Sequence, residues 1–466
     1  MSNINFLLIN PPTNYPRERI LPPLGLMYIA SVLENIGINV KILDAFLLNF
    51  SYEKILEIIN KEQPNFIGIY SNILNFDECK KLAKYIKKLL PESYIILDGP
   101  FPSSFPYYSM KEIPEVDFCI RGEEEKTIVE LTNKKMIPKK VRGIAFRKNK
   151  NIFITSNRPL IRNLNSIPFP ARHLIFINKY KFLPHEFRRL PTTTMICSRG
   201  CSFKCTFCPK PIFGTQLSSH LFSNEYRVRS PENVISEIEK VINEHSIKEI
   251  LFLDDTFGLN KSWNERFCNL LIKEKLDIEW SCQTRVDIVN EKILLKMAKA
   301  GCWSILYGLE SGNQRLLNFL NKKITIGQIR KVVNLTKNTN ISVRASFILG
   351  LPTETKQETM KTIKFAKSLN PTYAQFHLLA PFEGTSIYEI CKKEGKFLNK
   401  GQFDYDFPYK VNYLPNTYDS KEELIKMQKF AYRSFYLNPK KISEILLKIK
   451  SFNNFKSWIN MSKIIL

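Results

Sequence analysis

The chain has 466 residues, 44% of them apolar, enough for two or three domains with full cores and too apolar for a disordered chain. No run is long and apolar enough to span a bilayer, and the start MSNINFLLINPP lacks the length and charged flank of a signal peptide, so a soluble cytoplasmic protein is expected. The formal charge of +25 comes from lysines scattered through a chain also rich in Ile and Asn, with no arginine–aromatic strip, which argues against a nucleic-acid face.

The first segment alternates strand and helix. Short apolar runs ending in turn residues predict strands at 4–10 (INFLLIN), 39–46, 65–72, 94–100 and 117–122, with helical periodicity at 24–37 and 77–90. That order predicts a doubly wound parallel sheet over 1–135, with helices on both faces and ligands at the carboxyl ends of the strands. The loops expected there are PPTNYPRERILPPLG (11–25), DGPFPSSFP (98–106) and RGEEEKT (121–127), and they suit a large bound molecule. GxGxxG is absent, which argues against a dinucleotide. Residues 136–190 read as a connector holding a hairpin (141–155) and an extended Pro-Phe-Pro run (168–170). Over 191–390 the alternation resumes, with strands expected at 192–198, 249–257, 278–287, 303–311, 342–352 and 373–385. Six such units predict a partial six-stranded β/α barrel with its chemistry at the strand ends. The remainder, 391–466, reads as a lysine-rich helical C-terminal region.

Residues 197–208 read CSRGCSFKCTFC. Thiols this close together point to a shared metal. Cys79, Cys119, Cys268, Cys282, Cys302 and Cys391 are spread singly and read as small core residues of a reduced protein. All four clustered cysteines could close a structural zinc site. Cys197, however, falls inside a strand run, whereas Cys201, Cys205 and Cys208 form CxxxCxxC in the loop after it, where a barrel places catalytic groups. Three thiolates on a four-iron cluster leave one iron open. These three are the expected metal ligands.

SRGCSFKCTFC, with the aromatic Phe207 before its last cysteine and the β/α units around it, resembles the signature of the radical S-adenosylmethionine (SAM) superfamily. The resemblance implies a 4Fe-4S cluster whose open iron chelates the amino and carboxylate groups of SAM. It implies one-electron cleavage of SAM to methionine and a 5′-deoxyadenosyl radical, with an electron donor such as flavodoxin or ferredoxin. By position, Asp254 and Asp255 would accept from the SAM ammonium where the family commonly has Gly-Gly-Glu, and one of them reads equally as a helix cap. Arg285 would meet the SAM carboxylate or be an ordinary paired arginine. Glu310 in YGLESG would hold the ribose hydroxyls, and Ser346 with the loop 350–355 the ribose or adenine. His377 reads as structural.

The stretch PPLGLMYIASVLENIGINVKILDA (22–45), the DGP loop and the RGEEE turn resemble the amino-terminal region of the cobalamin-dependent radical SAM class. That implies cobalamin held at the strand ends by Pro23, Leu24, Gly25, Ser71, Asp98, Gly99, Pro100, Gly122 and Glu123. The chain departs from the family in having Asp98-Gly99-Pro100-Phe101 for Gly-Gly-Pro-His and Gly122-Glu123-Glu124-Glu125 for Gly-Glu-Gly-Glu. Its histidines (His173, His185, His220, His245, His377) all lie after the expected sheet domain, so a cobalt-ligating Asp-x-His-x-x-Gly is absent there. The favoured activity is methylation of an unactivated carbon of a small-molecule or natural-product substrate. Alternatives are oxidative ring closure of the anaerobic porphyrin type, a tRNA methylthiotransferase, which would need more cysteines than Cys79 and Cys119 in the first domain, and a zinc-stapled RNA-binding protein. The aromatics Phe403, Tyr405, Phe407 and Tyr409 read as packing of the tail.

Overall fold

The computed structural model describes residues 5–13, 15–133, 137–209, 225–398 and 411–446. They fall into two compact units: the chain up to Lys181 with the described parts of 209–228, and Phe182–Cys208 with the chain from Arg229 onward.

The first unit is built on β1 (Asn5–Asn10), β2 (Asn39–Asp44), β3 (Phe66–Tyr70), β4 (Tyr94–Asp98) and β5 (Phe118–Ile120). These lie parallel in the order β2-β1-β3-β4-β5, a doubly wound order whose direction reverses beside β1. Helix α1 (Leu24–Glu34) buries Leu26, Ile29, Ala30 and Leu33, spaced to fall on one face, against Phe6, Leu8, Ile96 and Phe118 of the sheet. Each fully buried Leu, Ile or Phe side chain here contributes about 1.5–3 kcal/mol.

The sheet does not stop where a purely parallel one would. Strands β6 (Ile144–Lys148) and β7 (Asn151–Ile154) form the predicted hairpin, but they pair antiparallel onto β5 and complete a seven-stranded mixed sheet. The hairpin is therefore the sheet's edge and not part of a separate connector. An isolated hairpin is marginal in water; here Ile144 and Phe146 bury their side chains in the core beneath α1, and Phe146 stacks on Phe153 at 5.4 Å.

In the second unit, β8 (Thr192–Met195) is followed by the short strand β9 (Ser198–Arg199), and the chain then returns to the first unit, whose last described residues form β10 (Arg227–Val228). Then come β11 (Glu249–Phe252), β12 (Glu279–Thr284), β13 (Cys302–Glu310), β14 (Ser342–Leu349) and β15 (Tyr373–Leu378). The six expected barrel strands run parallel in the order β15-β14-β13-β12-β11-β8. The outer edge of β15 is covered by side chains of the helix Lys421–Tyr436. Tyr436 Oη accepts from Ala374 N at 3.0 Å and donates to Ala374 O at 2.9 Å, Tyr432 Oη accepts from Phe376 N at 3.1 Å, and Gln428 donates to Phe376 O at 2.7 Å. An open edge strand is thereby closed to further pairing. The C-terminal region expected to be helical also contains a short antiparallel pair, β16 (Gly395–Phe397) and β17 (Tyr413–Pro415). The aromatics Phe403, Tyr405, Phe407 and Tyr409 and His220 lie outside the described residues.

Candidate active site

Of the ten cysteines, Cys201, Cys205 and Cys208 alone are partly exposed; the other seven are buried. Cys197 is not inside a strand, as the run 192–198 suggests, but buried in the two-residue gap between β8 and β9, because the chain bends there. Asp254, 1% exposed, accepts from Cys197 N at 3.0 Å and from Ser198 N and Oγ at 2.6 and 2.5 Å. Burial pushes the Asp254 carboxyl up to about 6 against the pull of these hydrogen bonds. Arg229 adds a second clasp, donating from N to Cys197 O and from Nη1 to Ile196 O while paired with buried Glu237. A buried, strand-clasped Cys197 removes the fourth ligand that an all-cysteine zinc site needs. The acidic pair is thus divided: Asp254 holds the end of β8, and Asp255 beside it is half-buried.

The cysteine loop is stapled to the segment after β13. Thr206 N donates to Leu320 O at 3.1 Å, and Asn321 Nδ2 donates to Lys204 O at 2.7 Å. Phe207 packs against the buried cluster that contains Leu316, Leu320, Leu379 and Ile387. Thr256 Oγ1 lies 3.4 Å from Cys201 Sγ. Arg285, expected at the SAM carboxylate, is buried against the loop. Its guanidinium lies 3.6 Å from the Phe203 ring centroid and 3.8 Å from Cys205 Sγ. It also pairs with Asp287 at 2.8 Å and donates to Lys322 O at 2.6 Å. Burial pushes the Cys205 thiol up, while Lys322 and then Arg285 pull it down.

Glu310 ends β13 with φ of +61°, just past a register shift between Gly308 and Glu310. Such bulges re-aim a side chain. Its carboxylate pairs with Lys322 Nζ at 2.7 Å, both side chains being buried. Ser346 stands in register between Gly308 and Gln375, half-buried. His377 sits near them on β15; burial lowers its imidazole, and Glu310 opposes that shift. The spacing rules missed Lys322 and Thr256. Only the position of Thr256 directly after Asp254-Asp255 could have signalled it, and nothing in NKK (321–323) singles out its middle residue.

The loop fits an iron–sulfur cluster: three accessible soft thiols lie beside two cations that offset the charge of thiolates and cluster.

In the first unit the proposed cobalamin residues gather at the carboxyl ends of the parallel strands. The N-terminus of α1 at Pro23, Leu24 and Gly25 has no side-chain cap, and a Cβ added at Gly25 would meet nothing within 4 Å. At the ends of β3 and β4, Ser71 Oγ and Asp98 Oδ1 are buried without a hydrogen-bond partner. Burial pushes the Asp98 carboxyl up to about 7. Gly99 has φ of +97°, and a Cβ there would stand 2.6 Å from Ser71 O, so the close approach of these two strand ends requires glycine. Pro100 opens the next helical turn, and Gly99 N donates to Glu124 at 3.0 Å. Gly122, φ +83°, donates to Ser103 Oγ. Glu123 is differently employed: its carboxylate takes Arg227 Nη1 at 2.9 Å and Ile161 N at 2.6 Å in a buried ion pair. Orphaned polar atoms, an uncapped helix end and glycine-dependent strand ends along one edge fit a large polar ligand.

His173 belongs to this unit after all, since the unit runs to Lys181. Its Nε2 lies 2.8 Å from Glu34 at the far end of α1, about 15 Å of helix from the carboxyl edge, so it is no candidate cobalt ligand. Cys79 and Cys119 are fully buried, which leaves no accessible thiol for a second cluster among the unit's described residues.

Residues 195–366 match the radical SAM superfamily and residues 16–132 the B12-binding domain. The chain belongs to the radical SAM enzymes that carry a B12-binding domain, and its cofactors are a 4Fe-4S cluster, SAM and cobalamin. It is 34% identical over 447 residues, 94% of each chain, to an uncharacterized methyltransferase of Pyrococcus horikoshii. It is 27% identical over 429 residues to the anaerobic magnesium-protoporphyrin IX monomethyl ester cyclase of Cereibacter sphaeroides, covering 89% of this chain and 67% of that one. The fold matches the radical SAM methyltransferase TsrM of Kitasatospora setae with cobalamin and cluster bound, at a TM-score of 0.68 and 16% identity, over 84% of this chain and 78% of that one. Among the described residues no helix is long and apolar enough to cross a membrane.

Proposed function

We propose that the enzyme transfers a methyl group from cobalamin to an unactivated carbon of a small-molecule substrate. The observation that carries this reading is the single loop presenting Cys201, Cys205 and Cys208 while every other cysteine is buried, in a chain that also carries a B12-binding domain. In this reading Cys201, Cys205 and Cys208 ligate the cluster. Asp255 accepts from the SAM ammonium, leaving Asp254 to hold the strand. Arg285, although paired with Asp287, presents charge on the side of the SAM carboxylate. Glu310 accepts from the ribose hydroxyls, and Ser346 borders the ribose. Phe203 and Phe207 exclude water from the loop. The α1 N-terminus, Ser71, Asp98, Gly99, Pro100 and Gly122 hold the corrinoid, with Glu123 acting through Arg227 on the shape of its turn. When bound, the cluster supplies an electron for SAM cleavage and cobalamin supplies the methyl group. A flavodoxin or ferredoxin delivers that electron.

The test is anaerobic reconstitution with iron, sulfide and cobalamin, then incubation with reductant and methyl-labelled SAM. About four iron and one cobalt per chain, with 5′-deoxyadenosine formed and label retained on cobalamin, are expected. Deoxyadenosine without labelled cobalamin would favour oxidative ring closure, the activity named for the Cereibacter relative. Zinc without iron would end both readings.

A further inference from the structure

The buried pair Glu310–Lys322 is oddly placed for a stabilising device. Its side chains are 7% and 8% exposed, and pairs of this kind are weak sources of stability because desolvation offsets attraction. Several features nevertheless hold it in one geometry. The register shift and left-handed φ aim Glu310, a conformation that a residue with a Cβ adopts only when its surroundings impose it. Gly308 leaves the space the pair fills: a Cβ there would stand 2.5 Å from Glu310 Oε1 and 3.2 Å from Lys322 Nζ. The backbone carrying Lys322 is tied to the cysteine loop by Thr206 N to Leu320 O and Asn321 Nδ2 to Lys204 O, and to Arg285, itself 3.8 Å from Cys205 Sγ, through Lys322 O. The Lys322 ammonium lies 5.8 Å from the centroid of Phe207, the residue between two of the three exposed cysteines' positions.

We propose that Lys322 is a positioning residue that serves two cofactors at once: its ammonium holds the Glu310 carboxylate in place for the ribose of SAM, and its fixed charge beside the cysteine loop raises the reduction potential of the cluster. The first half rests on the reading of Glu310 given above; the second does not. Reduction adds negative charge to the cluster, and a nearby buried cation favours the reduced form. Arg285 lies 3.8 Å from Cys205 Sγ and the Lys322 ammonium 5.8 Å from the ring of Phe207, two residues on, whereas Cys201 faces the neutral Thr256 hydroxyl, so the charge effect falls on the Cys205 side.

The experiment uses the full chain, reconstituted anaerobically, and compares Lys322→Met, Lys322→Arg, Glu310→Gln and Gly308→Ala. Two quantities are read: the cluster's midpoint potential by EPR-monitored titration without SAM, and the Kd of SAM by equilibrium dialysis. K322M is expected to lower the potential and weaken SAM at least tenfold. K322R should keep the potential near wild type, and G308A, which displaces the pair without changing charge, should weaken SAM while moving the potential less than K322M does. Wild-type values of both quantities in K322M would overturn the proposal. Wild-type SAM affinity in E310Q alongside a lowered potential in K322M would overturn the ribose reading of Glu310 and leave the charge effect standing. If K322M cannot hold its cluster, the double variant K322M/E310Q removes both charges, and its potential is compared with that of E310Q; equal values would overturn the charge effect.

Discussion

The parallel strands of the two sheets treat their carboxyl ends differently. At the barrel mouth the charged groups already have partners: Asp254 clasps a strand end, Arg285 pairs with Asp287, and Glu310 with Lys322. At the first sheet's edge Ser71 Oγ and Asp98 Oδ1 are buried with no partner, at a cost of about 1–3 kcal/mol each. The barrel therefore presents a preformed frame around its loop, and the first sheet presents an edge whose polar groups a ligand would complete. Iron loading should accordingly tolerate damage to the first sheet, and cobalt loading should not.

The largest expected effect is at the loop. Cys205→Ser should abolish the cluster, read as loss of iron and of visible absorption, whereas Cys197→Ser should keep both; loss of iron in both would mean that the buried strand-end cysteine belongs with the trio. Gly99→Val comes next. A Cβ at φ +97° and 2.6 Å from Ser71 O should displace the ends of β3 and β4, so cobalt per chain should fall at least tenfold with iron retained. Equal loss of both metals would dissolve the contrast between the two regions.

A smaller effect concerns pH. Burial raises Asp254 to about 6, and Asp98, Glu249 and Glu354 each to about 7. A carboxyl raised on folding contributes stability below its unfolded value near 4 and loses it as pH rises through its folded value. The apoprotein's urea midpoint should therefore fall between pH 4.5 and 7.5. Asp254→Asn should remove the part between pH 4 and 6, about 3 kcal/mol at about 1.4 kcal/mol for each tenfold change in proton affinity. A midpoint that rises across this range would show that these groups are charged and well paired. The smallest effect is at the barrel's edge: Tyr436→Phe removes both hydrogen bonds to Ala374 and should cost about 1–2 kcal/mol by urea denaturation, with iron and cobalt loading unchanged.

Much of this architecture is written locally. Strand and helix periodicity, turn residues and CxxxCxxC are patterns between near neighbours, so the parallel strands of both sheets and the cysteine loop were legible along the chain. The hairpin 141–155 was legible as a hairpin but not as a sheet edge, because its partner β5 lies some twenty residues back and edge pairing follows from burial of Ile144 and Phe146, not from any turn signal. The same limit applies to the site. Asp254 could be seen as an acid at a strand end, but its engagement by Cys197 and Ser198 joins residues 57 and 56 positions apart. Glu123 could be seen in its turn, but Arg227 lies 104 positions away.

The sequence by itself determined the order of elements and the three clustered thiols, because short-range spacing specifies them, and the resemblance carried by that cysteine loop implied the class of chemistry. Tertiary structure alone decided which polar groups have partners, and so the clasp of Asp254 on Cys197 and Ser198, the pairing of Arg285 with Asp287 and the place of Lys322 against Glu310. A carboxyl buried with partners, as at Asp254, and one with an oxygen buried without any, as at Asp98, have the same letter in the chain, and only the packing around them makes the difference.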